Sequence, residues 1–120
     1  MSTVRFFCDE AVAVFLADAV LRREPAIEVW CVGQGAMPSK GTPDPDLLIF
    51  AEANNYLFLT RDRKTMSTPV SDHLAAGRHT WGVFSLRTGF AVPRYVDNLI
   101  LIWSESQAED WIDYVGWLPW

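Results

Sequence analysis

Carboxylates at the ends of predicted elements are the residues best suited to chemistry in this chain. Asp9 follows an apolar run at residues 4–7, Asp62 follows another at 56–60, and Asp44 precedes a proline at the start of a predicted helix. At an effective dielectric constant near 20, two unit charges about 4 Å apart repel by on the order of 4 kcal/mol, so clustered carboxylates require protonation or a cation. The three aspartates are therefore candidate ligands of a hard divalent cation, Mg²⁺ or Mn²⁺.

Three cations surround Asp62 in the sequence, namely Arg61, Arg63 and Lys64. In one interpretation Asp62 binds a metal ion while the cations bind phosphate oxygens, arginine through its planar fork and lysine as a point charge. In the other, Lys64 occupies the place of the metal ion and Asp62 is a turn or cap residue that accepts hydrogen bonds from nearby backbone amides. The sequence leaves both interpretations open.

Runs rich in β-branched and aromatic residues alternate with segments of helical periodicity. Strands are predicted at 4–7, 26–33, 56–60 and 80–86, and helices at 11–24, 45–55, 70–77 and 92–107, with Asp44 as the N-cap of the second helix. This alternation predicts a three-layer α/β/α sandwich with a short, mainly parallel sheet. Because ligands bind beyond the carboxyl ends of parallel strands, we expect Asp9, Asp44 and Asp62 to converge at that edge.

Several other polar residues have structural as well as functional interpretations. Glu10 is either a ligand or a first-turn helix residue favoured by the helix dipole. His73 and His79 suggest acid–base chemistry, but neither stands at a recognisable spacing from a nucleophile, which favours structural roles. Cys8 is expected to pack as a strand residue, because the sequence identifies no base that would activate its thiol.

Charge and aromatic residues are distributed unevenly along the 120 residues, whose net charge is −5. Residues 1–94 hold all ten lysines and arginines and ten of the fifteen acids, while residues 95–120 hold the other five acids and four of the six tryptophans. The negative charge disfavours a general nucleic-acid binder of the strongly basic kind. We predict a single domain, with an α/β part at 1–94 completed by a C-terminal helix and an acidic, tryptophan-rich tail at 95–120.

Other features of the sequence bear on its cellular location. Cys8 and Cys31 are its two cysteines, both in apolar stretches, and we expect both to be reduced thiols. No apolar run approaches the roughly 18 residues that indicate a membrane span, and the first residues do not have the pattern of a secretory signal. The sequence therefore predicts a cytoplasmic protein without a membrane partner.

Two segments together resemble the small, toxin-type members of the PIN-like domain family. "FFCDE" resembles the family's strand ending in aspartate, and "DPDLLIFAEANNYLFLTRD" resembles its aspartate-led helix followed by a strand ending in Thr-x-Asp. The similarity covers about residues 4 to 90. The resemblance implies metal-dependent hydrolysis of RNA in the manner of toxin–antitoxin nucleases, with Asp9, Asp44 and Asp62 as the catalytic, metal-binding acids. It also implies Mg²⁺ or Mn²⁺ as cofactor and RNA as substrate.

One position departs from the family's pattern. The family usually continues as Thr-x-Asp-x-Asp, and Lys64 stands where the second of these aspartates would be. This departure predicts a metal site depleted of one acid. It also supports a rival hypothesis, in which the chain is a non-catalytic interaction protein that acts through its acidic, tryptophan-rich tail.

The tail has two alternative interpretations of its own. Its tryptophans either cap the core of their own domain or form an interaction surface, because aromatic residues are enriched in interface cores. Toxin-type members commonly form dimers and bind an antitoxin, so the resemblance favours the second alternative. We predict a homodimer in which residues 109–120 pack against the other subunit, with Arg22, Arg23 or Arg87 as counter-charges for the tail's acids.

Overall fold

Each strand of the sheet is followed or preceded by a helix that returns the chain to the same edge. The computed structural model describes residues 2–120. Its elements are β1 (Phe6–Cys8), α1 (Val14–Arg23), β2 (Val29–Cys31), α2 (Asp44–Ala53), β3 (Leu57–Thr60), α3 (Arg63–Ala75), β4 (Val83–Leu86), α4 (Val92–Glu105), a 3-10 turn (Ala108–Trp111) and β5 (Val115–Leu118).

Within residues 2–120 the strands form one sheet in the order β2-β1-β3-β4-β5, and every pairing is parallel. The interior strand β1 pairs with two neighbours, with Cys8 opposite Cys31 on one side and Leu59 on the other. The parallel sheet between helices confirms the predicted α/β/α sandwich. No helix in this part of the chain has both the length and the apolar character needed to cross a membrane.

The sheet separates two apolar clusters, one on each face. On one face, α1 and α4 pack over buried strand residues that include Phe6, Phe84 and Leu118. On the other, α2 and α3 pack over residues that include Phe7 and Phe58. Because both faces are covered, the central strands β1, β3 and β4 are continuously buried, as is usual for strands of a parallel sheet.

The helix α3 begins well before the predicted position. It starts at Arg63 rather than at residue 70, and Pro69 lies inside it. Proline lacks the amide hydrogen that a helix interior uses, so the sequence favoured a start after Pro69. The start at Arg63 is stabilised by Asp62, whose side chain accepts a hydrogen bond from the Thr65 amide at 3.1 Å. The cap contribution offsets part of the cost of the internal proline.

The predicted N-cap of α2 is wrong by one residue. Pro43 is the N-cap, and Asp44 is the first residue of the helix. Pro43 contributes no side-chain acceptor, so the first turn has no side-chain cap bond. Asp44 still contributes to this turn, because a carboxylate there interacts favourably with the positive end of the helix dipole.

The tail forms the fifth strand, which was not predicted. β5 pairs with β4 in the same chain, with Trp117 opposite Ser85 and Leu118 opposite Leu86. Leu118 has no exposed surface and belongs to the cluster beneath α1 and α4. The tail therefore packs on its own domain, and the expectation that residues 109–120 dock on another subunit does not describe where the structure places them.

Candidate functional site

Asp9 lies at the carboxyl end of the interior strand β1 and is almost fully buried, with 6% of its surface exposed. The Ala11 amide donates to Asp9 Oδ1 at 3.0 Å, and the Thr60 hydroxyl hydrogen-bonds the same carboxyl group. The backbone amide of Asp9 donates to the Leu59 carbonyl at 3.0 Å. These bonds fix the orientation of the carboxyl group between two strands.

The surroundings of Asp9 disfavour its negative charge. Burial raises the pKa of the Asp9 carboxyl, the negative charge of Asp44 raises it further, and the hydrogen bonds from Thr60 and Ala11 oppose the rise without cancelling it. Such a carboxylate gains stability from any cation that approaches it. The site therefore favours either protonation of Asp9 or a positively charged group beside it.

Asp44 connects Asp9 electrostatically to the other acids. Burial raises the pKa of the Asp44 carboxyl, and the negative charges of Asp62 and Glu10 raise it further. Glu10 accepts a hydrogen bond from the Gly41 amide, which holds the loop before α2 against the start of α1. The structure thus brings Asp9, Asp44 and Asp62 into one electrostatic neighbourhood at the carboxyl edge.

Asp62 has the structural role that the sequence left as one of two alternatives. Its carboxylate caps α3 through the Thr65 amide, and its own amide donates to Thr60 Oγ1 at 3.1 Å. Among residues 2–120 no salt bridge joins Lys64 to Asp62. The capping interpretation is confirmed for Asp62, whereas Lys64 does not take the place of a metal ion.

Thr60 is the residue at this site that sequence reasoning missed. It is fully buried at the last position of β3, and its hydroxyl lies between Asp9 and the backbone of Asp62. A hydroxyl both donates and accepts hydrogen bonds, so Thr60 can bond the Asp9 carboxyl group and also accept from the backbone amide of Asp62. The Thr-x-Asp pattern at the end of β3 marked its position in the sequence but not its contact with Asp9.

The carboxylates of Asp9, Asp44 and Asp62 are the candidate ligands of the predicted divalent ion. Three carboxylates supply the oxygen ligands that Mg²⁺ or Mn²⁺ prefers, and the chemistry of the donors fits. Within residues 2–120, however, no three acidic, histidine or cysteine side chains are gathered closely enough to hold an ion. A metal ion at this edge would require the three carboxylates to lie closer together.

An apolar cavity of about 140 Å³ adjoins the carboxyl edge. Arg61 and Val12 line it, together with the aromatic rings of Phe15 and Phe90. Both phenylalanines are exposed. The cavity thus offers aromatic surface next to the cation Arg61.

The predicted phosphate-binding residues Arg61, Arg63 and Lys64 are all exposed at this edge. Two further residues that the sequence did not identify join them. The guanidinium carbons of Arg63 and Arg87 lie over the ring of Trp117, at 4.6 and 5.2 Å from its centroid. Cationic and aromatic groups therefore extend along the edge from β3 to β5.

The two histidines lie away from the acids and have structural partners. His73 is buried, and its Nε2 lies 2.8 Å from the His79 carbonyl oxygen and 3.1 Å from Glu52 Oε1. His79 Nδ1 lies 2.7 Å from Asp113 Oδ2, and this bond raises the pKa of the His79 imidazole. Together they attach the chain before β4 to α2 and to the turn before β5.

Comparisons with protein-family models, with curated proteins and with solved structures find no match to this chain. The resemblance to PIN-like domains therefore stays a prediction. Any assignment of function depends on the geometry and electrostatics of the carboxyl edge.

Proposed function

We propose that this chain is a Mg²⁺- or Mn²⁺-dependent ribonuclease of the toxin–antitoxin type, which hydrolyses RNA phosphodiester bonds at the carboxyl edge of its sheet. One observation carries the proposal: acids from three separate segments, Asp9, Asp44 and Asp62, lie at the same edge, where burial, followed by the charge of neighbouring acids, raises the pKa of the Asp9 and Asp44 carboxyls. Such mutual repulsion at a ligand-binding edge is characteristic of catalytic sites and requires a compensating cation.

A bound divalent ion would supply Lewis-acid stabilisation of the phosphate charge, with the three aspartates as its ligands. Asp9 is held in a fixed orientation by the Ala11 amide and by Thr60. Asp44 is partly exposed in the first turn of α2, so its carboxylate is accessible from solvent as a ligand. Arg61, together with its cationic neighbours, binds the oxygens of the phosphate backbone.

The proposal is tested by cleavage of labelled single-stranded RNA in Mn²⁺, with and without excess chelator. We expect slow cleavage that the chelator abolishes and that Asp9→Asn reduces by at least a hundredfold. Asp18→Asn is the matched control, because it removes one exposed carboxylate from α1 and leaves the edge intact. Cleavage that persists in chelator, or that Asp9→Asn leaves unchanged, contradicts the proposal.

Lys64 provides a second test of the same proposal. Lys64→Asp places an acid where the PIN-like pattern has one, and Lys64 is exposed in the first turn of α3, so the fold tolerates the change. We expect this variant to bind Mn²⁺ more tightly and to cleave RNA faster than the original chain. An unchanged rate and affinity would mean that Lys64 does not limit the site.

The second candidate function is that of an interaction protein that acts through its tail, as a homodimer or with an antitoxin. The observation that favours it is a group of exposed apolar side chains on and beside the edge strand β5: Ile112, Tyr114, Val115 and Trp120. An edge strand has unpaired backbone groups that can extend the sheet into another chain. We propose a second copy of this chain as the partner, which light scattering of the original chain and of Val115→Lys would test. A mass that stays monomeric in the original chain excludes the homodimer.

A further inference from the structure

Two arginines from different elements converge on one tryptophan of the tail. Arg63 is the first residue of α3, Arg87 follows β4, and Trp117 belongs to β5. Both guanidinium groups lie over the Trp117 ring, at 4.6 and 5.2 Å from its centroid. Two cations are thereby held against one aromatic ring at the carboxyl edge, and one of them directly follows Asp62 in the chain.

Neither guanidinium is neutralised. Among residues 2–120 neither Arg63 nor Arg87 forms a salt bridge, although the chain has a net charge of −5. A cation–π contact stabilises the charge of an arginine but uses none of its five N–H donors. The donors of both arginines are therefore free to bind an anion with oxygen acceptors.

The backbone of Arg87 is fixed at two points, one by β5 and one by α4. Its amide donates to the Leu118 carbonyl at 2.6 Å, and its carbonyl accepts a hydrogen bond from the Tyr95 hydroxyl. Trp117 lies opposite Ser85, on the face of the sheet that α3 covers, which is why its ring also reaches Arg63. β5 thus holds both cations in position before any ligand arrives.

We propose that Arg63 and Arg87, positioned by Trp117, bind a phosphate group of a single-stranded RNA as the strand approaches the acids. The inference rests on the proposed ribonuclease function and adds a role for the tail. The planar guanidinium group of an arginine can donate two parallel hydrogen bonds to phosphate oxygens. Arg63 and Arg87, which both lie against the Trp117 ring, would together bind a phosphate group near Asp62. Because Trp117 belongs to β5, the tail is part of the substrate-binding surface.

Binding is measured by fluorescence anisotropy of a labelled single-stranded RNA in excess chelator, so that metal-dependent cleavage cannot occur. We expect Arg63→Gln and Arg87→Gln each to weaken binding by about five- to tenfold at low salt. The double substitution should also reduce the slope of log affinity against log salt by about 0.7, the contribution of the one phosphate that both arginines bind on a single strand. Arg22→Gln is the matched control, since Arg22 is exposed on α1 and its substitution removes the same charge.

Trp117 is tested separately, because its substitution leaves both charges in place. Trp117→Leu should weaken binding as much as the loss of one arginine, and Trp117→Phe, which keeps an aromatic ring, should restore most of the affinity. Circular dichroism of each variant checks the fold. If Trp117→Leu unfolds, the Trp117→Phe variant and the two arginine variants still decide the outcome.

The outcomes separate this inference from the proposed function. RNA binding that depends on Arg63 and Arg87 without any cleavage in Mn²⁺ supports the inference and contradicts the nuclease. Cleavage in Mn²⁺ together with unchanged RNA binding in both arginine variants supports the nuclease and contradicts the inference. Two results would overturn the inference. One is an equal loss of RNA affinity in Arg22→Gln and Arg87→Gln. The other is inorganic phosphate that competes for the site as well as unlabelled RNA does at equal phosphate concentration.

Discussion

Asp9 is a buried carboxyl group whose charge the surrounding protein does not fully compensate. Its hydrogen bonds from Ala11 and Thr60 favour the charged form, but burial and the proximity of Asp44 outweigh them and raise its pKa. A group whose pKa is higher in the folded than in the unfolded chain binds more protons when folded. The free energy of unfolding therefore falls as the pH rises through that interval.

This predicts that Asp9→Asn stabilises the fold at pH 7. Asparagine keeps an oxygen acceptor for the Ala11 amide and removes the buried charge, so the urea midpoint of the variant should exceed that of the original chain. Below an ordinary carboxyl pKa of about 3.9, Asp9 is protonated in both states, and the difference should vanish. Urea unfolding at pH 7 and near pH 3 measures both values.

Asp18→Asn is the control for this prediction, since it removes an exposed carboxylate of α1. Its stability should stay within about 0.5 kcal/mol of the original chain at either pH. A lower midpoint for Asp9→Asn at pH 7 would mean that the hydrogen bonds of the carboxylate outweigh its burial.

The positions of the acids could be predicted from the sequence, because a strand-end aspartate is visible as a polar residue after an apolar run. Asp9 and Asp62 were placed at the same edge on this basis. The role of Thr60 could not be predicted, since a hydroxyl reaches a carboxylate on a neighbouring strand only in one particular register. That register, Cys8 opposite Leu59, comes from packing on both faces of the sheet.

At the scale of elements, the start of α3 is where structure and proposed chemistry overlap. Asp62 is both the cap of this helix and one of the three candidate ligands, and the two roles need different properties of the side chain. Capping requires a short side-chain acceptor, whereas binding a divalent ion benefits from a full negative charge. Substitutions at Asp62 can separate them.

We predict that Asp62→Ala lowers the free energy of unfolding by roughly 0.5–2 kcal/mol, whereas Asp62→Asn changes it by only a few tenths, because asparagine caps about as well as aspartate. Both variants should lose RNA cleavage. Urea unfolding and the Mn²⁺ cleavage assay provide the two measurements. Asp72→Ala, at an exposed position of the same helix, is the stability control, and an equal loss in this control would assign the effect to something other than the cap.

Element type was predicted better than element boundaries. Four strands and four helices were expected in the right order, since apolar periodicity of 2 and of 3.6 is a strong local signal. The start of α3 was misplaced because Pro69 breaks helices in isolation, and here the cap at Asp62 and the burial of Met66 and Val70 stabilise a helix around it. Tertiary packing overrode local propensity.

At the scale of the whole molecule, the acids of the tail are accommodated within the chain. Asp97 forms a salt bridge with Arg23 at 2.7 Å, and Asp113 pairs with His79. Glu109 accepts hydrogen bonds from Ser2. These partners could not be predicted from charge alone, because they depend on how α4 and the tail pack on the rest of the chain. The expected counter-charge Arg23 is thus used by the same chain.

The tail should therefore contribute to the stability of a single chain. We predict that Leu118→Ala lowers the free energy of unfolding by roughly 2–5 kcal/mol, the usual cost of truncating a fully buried leucine. Val115→Ala, at a side chain that is 48% exposed in the same strand, should change it by less than about 0.5 kcal/mol. Urea unfolding at two protein concentrations measures both variants.

A small effect of Leu118→Ala would contradict the placement of β5 in the sheet. If the loss of stability in either variant becomes smaller when the protein is diluted, the tail is instead stabilised by a second chain. Deletion of residues 109–120 should abolish the native near-ultraviolet dichroism, because it exposes the edge of β4 and part of the core.

The all-parallel strand order has a consequence for how fast the molecule folds. No two adjacent strands are joined by a tight turn, so every pairing closes a long loop before it gains any hydrogen bonds, and refolding should be slow compared with that of a helical protein of similar length. The pairing of β5 with β4 requires the crossover through α4 to be complete. Until then the edge of β4 is open to other chains, and dilute refolding should give higher yields than concentrated refolding.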